Sequence, residues 1–168
     1  YYWFRLKKEA QIIIQKQDYE SGIKYIDSKL SKIENPNIKM IFDLANFYKN
    51  SKNYEKAIDR YTEIILTLDD NLLIKSDVLY RRGGSYERMG NYEKSDEDLL
   101  HALKIDPSDA YILNYLAYSW LERDYKINEA MDMLKTAYDL KSNDPYIIDS
   151  IGWAYFLIED YIEAETYL

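Results

Sequence analysis

One small residue, recurring at nearly constant intervals, limits what this chain can become. Ala45, Gly83, Ala117 and Gly152 are separated by 38, 34 and 35 residues, and each falls at the same point of an amphipathic helical pattern. Two helices approach closely only where no bulky side chain holds them apart, so each of these positions marks a tight helix contact. The stretch 76–109 shows the unit most clearly. Leu79, Gly83 and Tyr86 recur at helical spacing, Gly90 and Asn91 break the helix, Leu99, Ala102 and Leu103 set a second apolar stripe, and Pro107 ends it. The pattern predicts two antiparallel helices joined by a tight turn. Such a hairpin cannot bury its apolar face alone and has to stack on its neighbours.

The same pattern runs along the chain. From Trp3 to about Gln17, Leu6, Ala10, Ile13 and Ile14 form a helical stripe with Ile12 in its interior, and Asp18 is the expected N-cap of the next helix, where Gly22 and Ile26 follow. Lys29 stands where the 76–109 unit has Ala102, so the first unit is degenerate. Asn35, Pro36 and Asn37 make a turn before Ile41, Leu44, Ala45 and Tyr48. Asn53 and Tyr54 repeat the hairpin turn, Ala57, Tyr61 and Ile64 line the second helix, and its end is expected to run into Asp69, Asp70 and Asn71. Tyr54 to Tyr92 is 38 residues, so Leu72 to Lys75 are expected to lengthen either a loop or the following helix by about a turn. Arg82 takes the place held elsewhere by Leu44, Leu116 and Ile151, and an arginine there has to snorkel or meet an acid.

After Pro107, Ser108 and Asp109 the pattern resumes with Leu113, Leu116, Ala117 and Trp120, then a turn from Arg123 to Asn128 with one extra residue, then Ala130, Leu134 and Ala137. Asp144 as N-cap and Pro145 as the first helical residue open the last unit, with Ile148, Ile151, Gly152 and Tyr155, then Tyr161 and Ala164. The unit spans are 3–37, 38–75, 76–109, 110–144 and 145–168, in a single domain. The last helix is expected to be short, leaving Ile151, Tyr155 and Leu168 partly uncovered and favouring self-association through the C-terminal end.

These units resemble the tetratricopeptide repeat, of bacterial type, a helical hairpin of about 34 residues. The recurring Asn or Asp before Tyr at the hairpin turn (Asn53 and Tyr54, Asn91 and Tyr92, Asp160 and Tyr161) fits that family. The resemblance implies an all-α, right-handed superhelical solenoid of antiparallel helix pairs. It also implies a scaffold without catalytic activity, in which the first helix of each pair lines a groove for a peptide or helix of a protein partner. On the groove faces this places Lys7, Gln11, Phe42, Asn46, Lys49, Tyr80, Arg81, Gly84, Asn114, Tyr115, Tyr118, Asp149, Trp153 and Phe156. Tyr111 and Tyr146 add to the exposed aromatics, a class enriched at interfaces. Tyr48, Tyr86 and Tyr155 are expected on packing faces, and Tyr54, Tyr92 and Tyr161 as plugs in the turns. The family's two-carboxylate clamp needs basic and Asn residues at five positions. Lys7 and Arg81 fit it, whereas Gln11, Asp43 and Asp77 do not.

Charge narrows the partner. The net charge is -8, which disfavours nucleic acid, whose phosphates require clustered Lys and Arg. The charge is also uneven, with a net of +4 over residues 1–60 and -12 over the rest. This asymmetry suits an end-selective partner or head-to-tail association. There is no cysteine, so no disulfide or thiolate chemistry arises, and no apolar run is long enough to span a membrane. Cytoplasm and bacterial envelope (periplasm) both stay open. His101 is the only histidine and reads as a solvated helix residue. The run Asp96, Glu97, Asp98 reads as a solvated face because helix neighbours point in different directions. Gly83 and Gly84 lie within a helix, where they pack rather than cradle phosphate. No catalytic residue, metal or cofactor is implied. The alternatives to a peptide-binding scaffold are a self-assembly module and the non-catalytic repeat region of a larger enzyme or regulator.

Overall fold

The computed structural model describes residues 1–69 and 72–167. Among these residues there are ten α-helices and no strand: α1 Tyr2–Lys16, α2 Tyr19–Leu30, α3 Ile38–Asn50, α4 Tyr54–Ile65, α5 Leu73–Arg88, α6 Tyr92–Ile105, α7 Ala110–Leu121, α8 Ile127–Leu140, α9 Pro145–Leu157 and α10 Tyr161–Tyr167. They fall into two compact units, Tyr1–Asp98 and Leu99–Leu168, with the boundary inside α6. The expected end of the second hairpin at Asp70 and Asn71, and the expected exposure of Leu168, lie outside the described residues.

In the first unit each helix from α1 to α5 packs on the next. The buried side chains are those that the periodicity selects, among them Leu6, Ala10, Ile26, Leu44, Ala45, Ala57, Tyr61, Ile64 and Leu79. Ile13 and Ile14 are only half-buried, and Ile12 is exposed. Gly22 is where α1 and α2 touch: a Cβ there would sit 2.4 Å from Ile14 Cγ1 and 2.9 Å from the Ala10 carbonyl oxygen. Most of the additional length goes into a helix rather than a loop, since α5 has 16 residues where α3 has 13. The added turn leaves Leu73 and Ile74 exposed.

In the second unit α7, α8, α9 and α10 pack as two hairpins, with α9 against both α7 and α8. Ala110, Leu113, Ala137 and Ile147 form one buried cluster, flanked by Leu103, Met133 and Tyr138. Ile147 points inward and Ile148 is half-buried, one residue off the expected phase. The expected exposure of Ile151 is corrected: it is only 1% exposed, and half-buried Tyr155 stacks on Tyr167 at 5.7 Å between ring centroids.

One turn design recurs. After α3, α5 and α9 a residue in the left-handed region, Lys52 (φ 62), Gly90 (φ 74) or Glu159 (φ 65), closes the helix. The next amide, of Asn53, Asn91 or Asp160, donates to the carbonyl of Tyr48, Tyr86 or Tyr155 at 2.9 Å in every case. This is the Schellman arrangement, which satisfies carbonyls orphaned at a helix end. The same Asn or Asp then turns its side chain to the following helix, accepting from Lys56, Lys94 or Glu163 N–H at 3.3 Å. After α7 the turn closes through Asp124 (φ 52) and Tyr125, which donates to the Trp120 carbonyl. The extra residue is Lys126 (φ 46), which precedes α8 without a side-chain cap. The turn tyrosines do not plug the turns: Tyr54 is half-buried, and Tyr92 and Tyr161 are 43% and 58% exposed, because the backbone bonds close the turn by themselves.

Candidate recognition surface

In the first unit α3 and α5 carry the candidate side chains, oriented by fixed starts and spacings. Asn37 caps α3 by accepting from Met40 N–H at 3.0 Å. From there Phe42, Asn46 and Lys49 follow at intervals of four and three, along one face. Phe42 stands edge-on to Tyr61 of α4 at 6.1 Å, and the Tyr61 hydroxyl donates to Asn46 Oδ1 at 2.7 Å. Asn46 therefore keeps its NH2 group as a donor. Burial pushes the Tyr61 phenol well above its ordinary range, so that it stays protonated and donating.

Cations on this face are mostly engaged by acids of the same face. Asp43 Oδ2 receives Lys7 Nζ at 2.8 Å, the Trp3 indole N–H at 2.9 Å and, more distantly, Lys39 Nζ at 3.8 Å. Arg81 donates through Nε to both oxygens of Asp77, at 3.1 and 3.2 Å, and its guanidinium lies 5.1 Å from the Phe42 ring centroid. Lys49 differs. Among the described residues its ammonium has no hydrogen bond or ion pair. Burial holds it below the ordinary lysine range, Arg81 and Arg88 push the same way, and Asp77 opposes them.

Next to these residues lies a cavity of about 950 Å³. Ile38, Lys39, Ile41 and Phe42 of α3, Glu63 of α4, Thr67 beyond it, and Ile74 and Asp77 of α5 line it, together with Pro36. Ile74 belongs to the added turn of α5. Sequence reasoning missed this cavity, although an apolar insertion, Leu72 to Ile74, was visible there. Gln11 is exposed and lines a smaller cavity of about 410 Å³ with Ile14, Tyr19 and Phe47. Tyr80 and Gly84 are half-buried on α5.

In the second unit Trp153, Phe156 and Tyr161 form an aromatic patch. Trp153 and Phe156 stack at 5.2 Å, Tyr161 meets Phe156 edge-on at 5.6 Å, and the Trp153 indole N–H donates to Glu122 at 2.7 Å. Phe156 and Tyr118 are exposed, Tyr115 is half-buried, and Asp149 is exposed. Asn114 Oδ1 is shut off from solvent and accepts no hydrogen bond. Tyr111 donates to Asp144 at 2.9 Å with Lys141 over its ring, while Tyr146 is exposed.

Two sequence expectations for other positions change. Asp98 is not on a solvated face but 6% exposed and paired with Arg82. His101 is half-buried rather than solvated. Among the described residues no group of three His, Asp or Glu side chains is placed to hold a metal ion, and no helix is long and apolar enough to cross a membrane.

Comparison with known proteins matches the family model described as tetratricopeptide repeat to residues 76–109. The TPR repeat-containing protein PA4667 of Pseudomonas aeruginosa is 24% identical over 161 residues, 96% of this chain and 27% of that protein. The chain thus spans about a quarter of the length of this curated relative. MamA of Desulfovibrio magneticus RS-1 shares the fold at a TM-score of 0.75 and 16% identity, over 98% of this chain and 90% of that one. A tetratricopeptide repeat protein of Parabacteroides merdae shares it at 0.76 and 16% identity, over 98% of this chain and 63% of that one. Residues 76–109 thus match the tetratricopeptide repeat, a relative named for the same repeat aligns along 96% of the chain, and the described residues share the all-α fold of paired helices of both solved proteins.

Proposed function

We propose that this chain is a non-catalytic protein-interaction scaffold that receives a peptide segment or helix of a partner on the first helices of its hairpins. Tetratricopeptide repeats as a class mediate protein–protein interaction. The observation that carries the reading is the cavity of about 950 Å³ between α3, α4 and α5, at the upper end of ligand-site volumes of about 300–1,000 Å³. Phe42, Asn46 and Arg81 beside it supply an apolar surface, an amide donor and a guanidinium. Lys7, Gln11, Lys49 and Tyr80 are read as extending the same face, and Tyr115, Tyr118, Trp153 and Phe156 as providing a second, aromatic one, with Asn114 partly buried beneath it. Random-peptide display against the intact chain, followed by hydrogen exchange with a selected peptide bound, tests this. Protection centred on α3 and α5 is the expected result. Failure to select any peptide, or protection confined to helices without these residues, overturns it.

A second reading, self-association, is favoured by the exposure of Leu157, Ile158 and Ile162 around α9 and α10, with Ile162 80% exposed. Sedimentation equilibrium of the chain and of Ile162→Asp checks it. A monomer at all concentrations removes this reading.

A further inference from the structure

We infer that the α3–α5 face recognises an extended peptide segment by two features: one bulky apolar side chain seated against Phe42 and Ile74, and one side-chain carboxylate about three residues farther along, held by Lys49. This inference rests on the peptide-scaffold reading above and specifies its ligand.

The apolar half follows from the cavity. Its α3 wall is Ile38, Ile41 and Phe42, and its α5 wall is Ile74, contributed by the N-terminal extension of α5, which has 16 residues where α3 has 13. Ile74 is 48% exposed, so one apolar wall faces water until something covers it. No carboxylate of a ligand is drawn to this end. Lys39 is directed to Asp43, while Asp77 and Glu63 lie on the cavity lining and repel an incoming acid.

The charged half follows from which cations already have partners. In the family's carboxylate clamp this face would present Lys7 and Arg81, but here Asp43 and Asp77 occupy both at hydrogen-bonding distance. Acidic side chains at two clamp positions have therefore moved the unengaged positive charge elsewhere. It sits at Lys49, half-buried and, among the described residues, without a direct ion pair, where burial and the nearby Arg81 and Arg88 hold its pKa down against the opposing pull of Asp77. A carboxylate at this point relieves both the missing partner and the repulsion among the cations.

Spacing joins the halves. Phe42 to Lys49 is seven residues of helix, about 10 Å at about 1.5 Å per residue, and an extended chain covers that in about three residues at about 3.3 Å each. Asn46 lies between them, with its NH2 group available to a peptide carbonyl.

The test uses the intact chain and a display library of C-terminally amidated peptides, each with one fixed Leu or Phe among randomised positions. Amidation removes the terminal carboxylate, so any acid selected is a side chain. The expected outcome is enrichment of Asp or Glu about three residues from the anchor. In fluorescence anisotropy, changing that Glu to Gln in the peptide should weaken binding about tenfold to the native chain and hardly at all to Lys49→Gln. Ile74→Ser should weaken both peptides about equally. Thermal melts show whether the variants are folded. Lys49→Arg keeps the charge and should keep the preference. Equal affinity of the Glu and Gln peptides, or a preference that survives Lys49→Gln, overturns the inference. If Phe42→Ala and Ile74→Ser abolish binding without any acid preference, the scaffold reading stands and this one falls. If no peptide is selected, both fall.

Discussion

Arg82 and Asp98 meet through two parallel hydrogen bonds, Nε to Oδ2 at 2.7 Å and Nη2 to Oδ1 at 2.6 Å, while Nη1 of the same arginine reaches the Thr62 hydroxyl at 2.9 Å. Both side chains are largely withdrawn from water, at 16% and 8% exposure. A guanidinium thus replaces the aliphatic residue of the other repeats by bringing its own acid and one further acceptor. Removing one partner should cost far more than removing both. Arg82→Ala leaves a buried carboxylate and should lose about 3–5 kcal/mol, whereas Arg82→Leu with Asp98→Leu should be close to neutral. Urea titration of the three proteins decides it. Equal losses in the single and double variants would show that the pair is not a closed unit.

Gly22→Ala should destabilise despite the better helix propensity of alanine. The added methyl group meets the Ala10 carbonyl oxygen, which cannot swing aside, as well as Ile14. The expected loss is about 1–3 kcal/mol, larger than the gain of about 1 kcal/mol from propensity. A variant as stable as the parent by thermal melting would mean that α1 and α2 are not in contact there.

Alkali should act through Tyr48. Burial raises its phenol from the ordinary value of 10 to about 12, and the neighbouring Asp27 carboxylate adds to the shift. A raised folded pKa means that the stabilisation is complete below pH 10 and is lost as pH climbs from 10 towards 12. Two pH units correspond to about 2–3 kcal/mol. Stability measured across this range should fall less steeply in Tyr48→Phe. An identical slope would place the phenol in solvent.

Asp77→Asn should release Arg81 from its acid. Binding of acidic peptides should then strengthen by about fivefold, the equivalent of about 1 kcal/mol for an ion pair in a solvated groove. Unchanged affinity, measured by anisotropy at low salt, would show that Arg81 does not face the ligand.

Much of this fold could be read before any coordinates, because it rests on local rules. Asp18, Asn37, Asn53, Asp144 and Pro145 mark helix starts by their own chemistry, and Ala45 and Ala117 mark helix contacts by their size. What escaped depends on contacts distant in sequence. Asp98 looked solvated because its partner lies 16 residues away on another helix. Tyr92 looked like a turn plug because nothing in a single sequence shows that backbone bonds alone close the turn. The candidate surface was legible as a set of residue types on one helix face. Which of its cations were already neutralised was not, since that is set by the reach of Asp43 across to Lys7 and of Asp77 along to Arg81.

Asn53, Asn91 and Asp160 each end one helix through the backbone and begin the next through the side chain. A single residue therefore belongs to two helices, and neither can fray at that end without loosening the other. Opening of these hairpins becomes all-or-none, so amide protons on both sides of the turn should exchange with solvent at one common rate, as members of one cooperative unit.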